Sequence, residues 1–311
     1  MEYKHVPVLL NEVLEALNLK EGACYVDCTL GGAGYSTAIA KAIGEKAKLI
    51  AIDADLLAIN NAKKIFKKEK IDNVVLVHNN FRHLKDIIEE LEIGRNVSGI
   101  VLDLGLSSAQ LDDESRGFSF QGKRPLNMAF GVDGSETEHL LNTASINELS
   151  RIFREYGEEP RAYQIARAIY KKRLLKPIKD TETLVNIITT VNPLRRGQKI
   201  HPATKIFQAL RIATNDEFNS LKEVLEAARA VLLPGGRLVV VSFHSGEDRL
   251  VKNYLRHESR DCICPPNIPL CVCQHQASFK IINKKPITAT IEELENNPRS
   301  RSAKLRIAEK I

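Results

Sequence analysis

Acidic residues end two apolar runs near the start of the chain, and a glycine-rich loop follows the first. The first run ends at Asp27 and opens into the loop 31–34, Gly-Gly-Ala-Gly, while the second ends at Asp53. We predict buried strands at 23–27 and 48–52, with a helix after the loop whose N-terminal amides face it. A carboxylate at the end of the second strand can accept hydrogen bonds from both hydroxyls of a ribose. The pattern favours an adenosine-containing cofactor; the alternative is an ordinary αβ turn that uses glycines for tightness.

The spacing of the loop separates two classes of cofactor. A dinucleotide fold normally carries Gly-x-Gly-x-x-Gly directly after the strand. Here three residues separate Asp27 from Gly31, and the glycines do not follow that spacing. The spacing favours S-adenosylmethionine, and a nucleotide-dependent oxidoreductase is a disfavoured alternative.

The elements that must position these residues alternate between strand and helix as far as residue 103. This rhythm implies a parallel, doubly wound α/β sheet. The alternation of strand and helix is absent from 111–205, where only helical patterns occur, and it returns after this segment. We therefore predict one cofactor-binding domain (1–110 and 206–311) with an inserted helical domain (111–205). The predicted helices are 35–43, 56–68, 84–91, 146–156, 163–173, 181–190 and 215–232, and the further strands are 74–77, 98–103, 237–243 and an antiparallel pair at 278–282 and 303–307.

Ligands of an open parallel sheet collect beyond the carboxyl ends of its strands. Phe81 follows the third predicted strand, where its ring can stack on an adenine. Asp103 ends the fourth strand and is a candidate catalytic residue that contacts the cofactor or the incoming nucleophile, or else a turn cap. His244 follows the fifth strand and is a candidate proton acceptor; a structural hydrogen-bonding role is the alternative. Methyl transfer to an amine needs mainly positioning and desolvation, which such a site can supply.

Charge and hydropathy limit the class of protein. The 45 Lys and Arg against 39 Asp and Glu leave a formal net charge of +6 over 311 residues. Because no apolar run reaches the ~18 residues that span a bilayer, we expect a cytoplasmic protein without a membrane segment. The basic excess indicates a polyanionic partner, although a solvated helical face explains such charges equally well. Basic residues of the central segment are Lys171, Lys172, Arg173, Lys176, Arg195, Arg196, Lys199, Lys205 and Arg211.

Four of the six cysteines form two Cys-x-Cys pairs on either side of a proline-rich stretch. They are Cys262, Cys264, Cys271 and Cys273. Four thiolates so close in sequence can enclose a tetrahedral zinc ion, and reduced cysteines in an ordered loop are the alternative. The other two lie on the first predicted strand, where free cysteine behaves as a small apolar residue.

Several strings in one order resemble the MraW/RsmH family of methyltransferases, and the match runs nearly end to end. The strings are 5–10, 27–36, 51–53, 103–112, 116–120, 156–159, 201–204, 207–212, 215–217, 242–245 and 297–300. The resemblance implies a class I methyltransferase fold, Rossmann-like, and S-adenosylmethionine-dependent methylation of the N4 amine of a cytosine in the decoding centre of 16S rRNA, within the small ribosomal subunit. It implies that the helical insertion recognises RNA. It also implies cofactor contacts from the backbone of Ala33, Gly34 and Tyr35 and from Asp53, Phe81, Asp103 and Gln110.

The chain departs from the family pattern mainly at two places, with smaller deviations at Pro160 and Gly246. Ala33 and Tyr35 stand in the cofactor loop where the family usually has Gly and His, and an alanine crowds the backbone if that position needs a positive φ. In the segment 123–130 the family tends to read Asp-Gly-Pro-Leu-Asp-Met-Arg-Met, and here two acids and an arginine are missing. This segment motivates an alternative, an S-adenosylmethionine-binding ribosome assembly factor with little or no turnover. A homodimer is left open.

Overall fold

The chain forms two compact units in a computed structural model that describes residues 7–94, 96–106, 116–120, 122–130, 136–198, 200–265 and 270–311. The first unit combines Met1–Gly105 with Phe218–Ile311, and the second is Leu106–Glu217.

A sheet of seven strands, among the described residues, lies at the centre of the first unit. The strands are β1 (Cys24–Asp27), β2 (Lys48–Asp53), β3 (Val74–His78), β4 (Val97–Asp103), β5 (Leu232–Ser242), β6 (Phe279–Ile281) and β7 (Lys304–Lys310). Their order is β3-β2-β1-β4-β5-β7-β6, parallel from β3 to β5, with β7 antiparallel to both neighbours. This is the strand order of class I methyltransferases, and it confirms the predicted fold class.

Helices cover both faces of the sheet. The helices of both units, numbered along the described part of the chain, are α1 (Leu10–Leu17), α2 (Gly34–Ile43), α3 (Leu56–Glu69), α4 (Leu84–Glu90), α5 (Glu136–Thr143), α6 (Ile146–Glu155), α7 (Ala162–Arg173), α8 (Thr181–Val191), α9 (Ala203–Thr214), α10 (Glu217–Val231), α11 (Ser245–Glu258) and α12 (Ile291–Asn296). In β4, Ile100 and Leu102 pack with side chains of α4, α10 and α11, whereas Val101 packs with α1 and α2. Burial on both faces is what a parallel sheet requires.

The second unit is helical and contains α5 to α9. Their apolar faces meet in one cluster that includes Phe153, Ile165 and Leu184. Side-chain caps set two of the helix starts: Ser145 Oγ accepts the Glu148 N–H at 3.1 Å before α6, and Asp180 Oδ1 accepts the Thr183 N–H at 2.8 Å before α8. Such caps satisfy amide groups that have no partner inside the helix.

The structure draws the limits of the two units differently from the sequence. The predicted limit at 205/206 lies inside α9, whose Ile206, Phe207 and Leu210 are buried in the cluster of the second unit. The second unit therefore runs from Leu106 to Glu217. The helix predicted at 215–232 begins only at Glu217, because Asp216 has a φ of 49° and interrupts the helical path after α9.

No helix within the described ranges is long and apolar enough to cross a bilayer.

Candidate functional site

Three aspartates end neighbouring strands at the same edge of the sheet. Asp27, Asp53 and Asp103 are the last residues of β1, β2 and β4, and the strand order reverses between β1 and β4. Asp27 is fully buried and accepts the Ser36 hydroxyl at 2.6 Å and the Thr29 N–H at 3.1 Å. The Asp103 N–H in turn donates to Thr29 Oγ1 at 2.7 Å. Thr29, which no sequence signal marked, thus joins the ends of β1 and β4 at the crevice where such sheets bind ligands.

Asp103 carries a buried polar atom that finds no hydrogen-bond partner among the described residues. Its Oδ1 is buried and accepts no hydrogen bond from the part of the chain that the structure describes. Burial, and then the nearby carboxylates of Asp27 and Glu247, raise the pKa of Asp103 well above its usual value. Buried polar atoms in folded proteins nearly always have a partner, so this oxygen is suited to a polar or cationic ligand group.

Asp53 is held by the loop that precedes α2. Its Oδ2 accepts the Gly31 N–H at 2.8 Å and its Oδ1 accepts the Asp55 N–H at 2.8 Å. Burial raises the pKa of Asp53 to about 6. A carboxylate has about four acceptor positions on its two oxygens, so both oxygens keep capacity for further donors such as ribose hydroxyls.

The glycine-rich loop places Ala33 in the left-handed region of backbone conformation. Ala33 has a φ of 63° and is buried, so a non-glycine residue occupies the left-handed region there. A Cβ on Gly34 would come within 2.2 Å of Pro7 Cγ, which explains the glycine. The buried Tyr35 hydroxyl donates to the Val8 carbonyl. Because the Tyr35 hydroxyl is used inside the protein, the backbone of this residue is the part left for a cofactor contact, and that contact stays a prediction.

Phe81 begins a short 3₁₀ turn directly after β3. Asn80 Oδ1 accepts the Arg82 N–H at 3.0 Å and sets the turn. The Phe81 ring is half-buried and packs against the apolar cluster of the sheet. Its stacking on an adenine stays a prediction. Gln110, also predicted to contact the cofactor, lies outside the described residues.

His244 caps α11. Its Nδ1 accepts the N–H groups of Gly246 at 3.2 Å and Glu247 at 3.4 Å, while Glu247 Oε2 accepts the Phe243 N–H at 2.8 Å. His244 Nε2 lies 2.9 Å from Glu247 Oε1. An Nδ1 that accepts leaves the ring proton on Nε2, so the neutral ring has no free lone pair. The geometry favours the structural alternative for His244, and a catalytic role stays a prediction. The buried Glu247 was missed, although a glutamate three residues after a cap is the signal of a capping box.

The segment 123–130, where the chain departs from the family, is a packed part of the second unit. Leu126 and Met128 are buried. Asn215 Nδ2 donates to the Met128 carbonyl at 2.7 Å, and the Phe130 N–H donates to Asn215 Oδ1 at 2.8 Å. The missing acids and arginine therefore have not left a poorly packed segment.

The basic residues of the central segment divide into two groups. Arg173 donates to the Leu141 carbonyl at 2.8 Å, Lys205 to the Glu158 carbonyl at 3.0 Å, and Arg211 makes two hydrogen bonds of 2.7 Å with Glu217. The side chains of these three residues make hydrogen bonds within the second unit. The exposed members are Lys171, Lys172, Lys176, Arg195 and Arg196. Lys199 lies outside the described residues.

The cysteines of the two Cys-x-Cys pairs come together. The Sγ atoms of Cys262, Cys264, Cys271 and Cys273 all lie within 4.8 Å of one another, in a loop between α11 and β6. All four are free thiols. The strands β7 and β5 separate β6 from β4, so this cluster belongs to the far edge of the sheet and not to the aspartates.

Comparison with known proteins finds similarity along the whole chain. A family model described as the MraW methylase family matches residues 2–311. Ribosomal RNA small subunit methyltransferase H of Heliobacterium mobile is 46% identical over 314 residues and covers 100% of both chains. The protein of the same name from Carboxydothermus hydrogenoformans is 47% identical over 312 residues, covering 100% of this chain and 99% of that one. A solved rRNA methylase from Streptococcus thermophilus is 11% identical with a TM-score of 0.44, covering 100% of this chain and 99% of that one.

Proposed function

We propose, since the chain belongs to the MraW methylase family and is an S-adenosylmethionine-dependent methyltransferase, that it methylates the N4 amine of a cytosine in the decoding centre of 16S rRNA. The observation that carries the proposal is the buried Oδ1 of Asp103, which lies beside the switch point of the sheet and has no partner among the described residues. The name of the relatives supports an rRNA substrate in the small subunit. The choice of base and of the N4 amine comes from the motifs that resemble the family.

Most of the residues proposed to hold the cofactor belong to the first unit and lie along the edge of the sheet. The backbone of 33–35 would approach the cofactor where α2 begins, and Asp53 would accept the ribose hydroxyls. Phe81 would lie against the adenine. Asp103 would face the amino-acid end or the acceptor amine, and we propose Gln110 as a further contact. The cofactor supplies a methyl group on a sulfonium; the protein's part is to bind, orient and exclude water.

Asp103 is suited to the charges of this reaction. The cofactor would supply the methyl group and leave as S-adenosylhomocysteine, while the N4 amine would give up one proton, for which Asp103 and bulk water are the available acceptors. A carboxylate that accepts from the amine orients the lone pair and stabilises the positive charge that develops. The raised pKa of Asp103 favours its neutral form in the free protein, and the positive charges of the cofactor would restore the ionised form. Positioning supplies most of the acceleration.

The second unit is proposed to present the RNA. A cytosine must be unstacked to reach a pocket, and a splayed base in a folded RNA makes this step cheapest. The exposed cations Lys171, Lys172 and Lys176 are suited to phosphate contacts, which give affinity without reading sequence. We propose that the substrate is the assembled small subunit in the cytoplasm, where RNA shape holds the base out.

A second candidate is an assembly factor that binds S-adenosylmethionine but turns it over slowly or not at all. It is motivated by the departures in the segment 123–130. The packing of this segment through Asn215 shows that it is built into the fold. Activity therefore separates the two candidates better than stability does.

Nucleoside mass spectrometry tests the proposal. Small subunits from a strain that lacks the modification are treated with purified protein and cofactor, and we expect N4-methylcytidine to appear. Asp103→Asn should abolish it, whereas Asp86→Asn, an exposed aspartate on α4, serves as a matched control and should not. Methyl on carbon 5 or on a ribose oxygen would contradict the proposed acceptor. Cofactor binding with no methyl product would favour the assembly factor.

A further inference from the structure

The loop between α11 and β6 is described over 259–265 and 270–278, and these residues form no apolar core. None of them is buried. Among them Leu270 is 77% exposed and Val272 is 72% exposed. Burial of apolar surface is the main force that orders a chain segment, and the described residues of this loop lack it. Something else must hold it.

The spacing of the four sulfurs fits one metal ion. A tetrahedral centre with Zn–S bonds of ~2.3 Å places its sulfurs ~3.8 Å apart. The Sγ atoms of Cys271 and Cys273 are 3.6 Å apart and those of Cys273 and Cys262 are 3.9 Å apart. A disulfide would require about 2.05 Å. An iron–sulfur cluster would stand between the cysteines and hold the sulfurs farther apart than the observed limit of 4.8 Å.

Backbone amides point at the sulfurs. The Ile263 N–H donates to Cys273 Sγ at 3.4 Å, and the Val272 N–H donates to Cys264 Sγ at 3.4 Å. Each donor belongs to one Cys-x-Cys pair and each acceptor to the other, so the two pairs are joined reciprocally. Amide donors of this kind stabilise thiolates, the form in which cysteine binds metal.

We propose that Cys262, Cys264, Cys271 and Cys273 bind one zinc ion as a structural site. Four thiolates complete a tetrahedral shell and leave no position for water, which is the arrangement of structural and not of catalytic zinc. The ion would supply the order that the loop does not obtain from burial, since metal binding and folding are coupled in small sites of this kind. It would have no part in methyl transfer, because β5 and β7 lie between this edge and the ends of β1 and β4.

A neighbouring group of ligand-type side chains is better explained by hydrogen bonds. His257, Glu258 and His275 also lie within 4.8 Å of one another. However, Glu258 Oε1 pairs with His257 Nδ1 at 2.8 Å and its Oε2 accepts the Ser278 hydroxyl at 2.6 Å. Both oxygens thus already take part in hydrogen bonds that join the end of α11 to the start of β6. We therefore place the ion on the sulfurs.

Elemental analysis by mass spectrometry tests the site in the full-length protein. The protein is purified without chelator and without added metal, and we expect one zinc per chain. Cys262→Ser combined with Cys271→Ser should reduce the zinc content to background, whereas Cys24→Ala, a thiol outside the cluster, should retain it. S-adenosylhomocysteine binding is measured on the wild type, the double variant and Cys24→Ala to verify that each protein is folded. We expect the same affinity in all three.

A second measurement covers the case in which the double variant does not fold. Wild-type protein is treated with a chelator and then with cobalt, and we expect faster proteolytic cleavage between residues 259 and 278 after chelation and the absorption of a tetrahedral cobalt tetrathiolate after cobalt addition. Absence of stoichiometric metal in the wild type, iron in place of zinc, or zinc retained in the folded double variant would overturn the proposal.

Discussion

Asp53 is the residue at which stability and ligand binding should oppose each other most clearly. Its two oxygens accept the N–H groups of Gly31 and Asp55 in a half-buried part of the protein. We consider Asp53→Asn, which keeps the shape and one acceptor oxygen but removes the charge. The variant should bind the cofactor less tightly and yet lose less stability as the pH rises.

The stability effect follows from the raised pKa of Asp53, which lies at about 6 against 3.8 for an ordinary aspartate. Below pH ~4 the carboxyl is protonated in both the native and the unfolded state, and it contributes nothing to the pH dependence. Between pH ~4 and ~6 only the native state keeps the proton, so the wild type loses stability as the pH rises. The shift of about 2 pKa units corresponds to a loss of at most about 3 kcal/mol above pH 6. Asparagine does not titrate and avoids this loss.

The binding effect has the opposite sign. Under the proposed function Asp53 accepts two ribose hydroxyls, and asparagine offers one neutral acceptor in place of two charged ones. A hydrogen bond to a charged group is worth about 1.5–3 kcal/mol, so S-adenosylhomocysteine affinity should fall roughly 10- to 100-fold at pH 7.5. The wild-type affinity should also decline below pH 6, as the carboxyl becomes protonated, and the variant should lack this decline.

Two measurements decide the matter. Urea unfolding of wild type and variant between pH 4 and 7 gives the difference in free energy of unfolding, which should move by up to about 3 kcal/mol in favour of the variant as the pH rises. Calorimetry gives the cofactor affinity, with the exposed aspartate in Asp72→Asn as control. If the difference in free energy of unfolding between wild type and variant does not vary with pH, the argument that burial raises the pKa of Asp53 is refuted. An unchanged affinity in the folded variant would refute the ribose assignment.

Two further predictions concern the helix cap and the lysines of the second unit. His244→Asn should retain activity and stability because asparagine caps helices well, whereas His244→Ala should lower the free energy of unfolding by about 1 kcal/mol. If the asparagine variant is stable but inactive, the imidazole acts as a proton acceptor. Affinity for rRNA falls as salt rises, and replacing Lys171 and Lys172 by alanine should make the plot of log affinity against log salt less steep by up to about 1.5. The same change at Lys63 and Lys64 on α3 should leave the steepness unaltered. An equal effect of both pairs would assign the exposed lysines to a general charge effect.

Much of the sheet and the position of the site follow from the sequence alone. The apolar runs that end in Asp27, Asp53 and Asp103 are strands β1, β2 and β4, with limits within a residue or two of those predicted. Period and composition report local burial directly, because a strand buried on both faces needs a continuous apolar run. The alternation of strand and helix then implies parallel pairing, and parallel pairing puts all three carboxylates at one edge.

The tertiary structure decided the features that depend on which partner a residue meets. Helical periodicity identifies an apolar face on α9 but not the cluster that buries it, and so the limit predicted at 205/206 separates most of this helix from the cluster in which its side chains are buried. Basic residues look alike in sequence, yet Arg173 and Arg211 are bound inside the second unit while Lys171 and Lys172 face solvent. Whether a cation pairs internally depends on acceptors that are distant along the chain.

His244 and the cysteines show the same division at the level of single atoms. The residue types were visible in the sequence, and so were their chemical capacities. Whether His244 Nδ1 accepts from a helix start, or whether two Cys-x-Cys pairs approach to within 4.8 Å, depends on the path of the backbone around them. The sequence determined which chemical groups were present and at which edge of the sheet they lie. Only the fold determined which lone pairs and which sulfurs came together, because hydrogen bonds and metal coordination require distances that are correct to within a few tenths of an ångström.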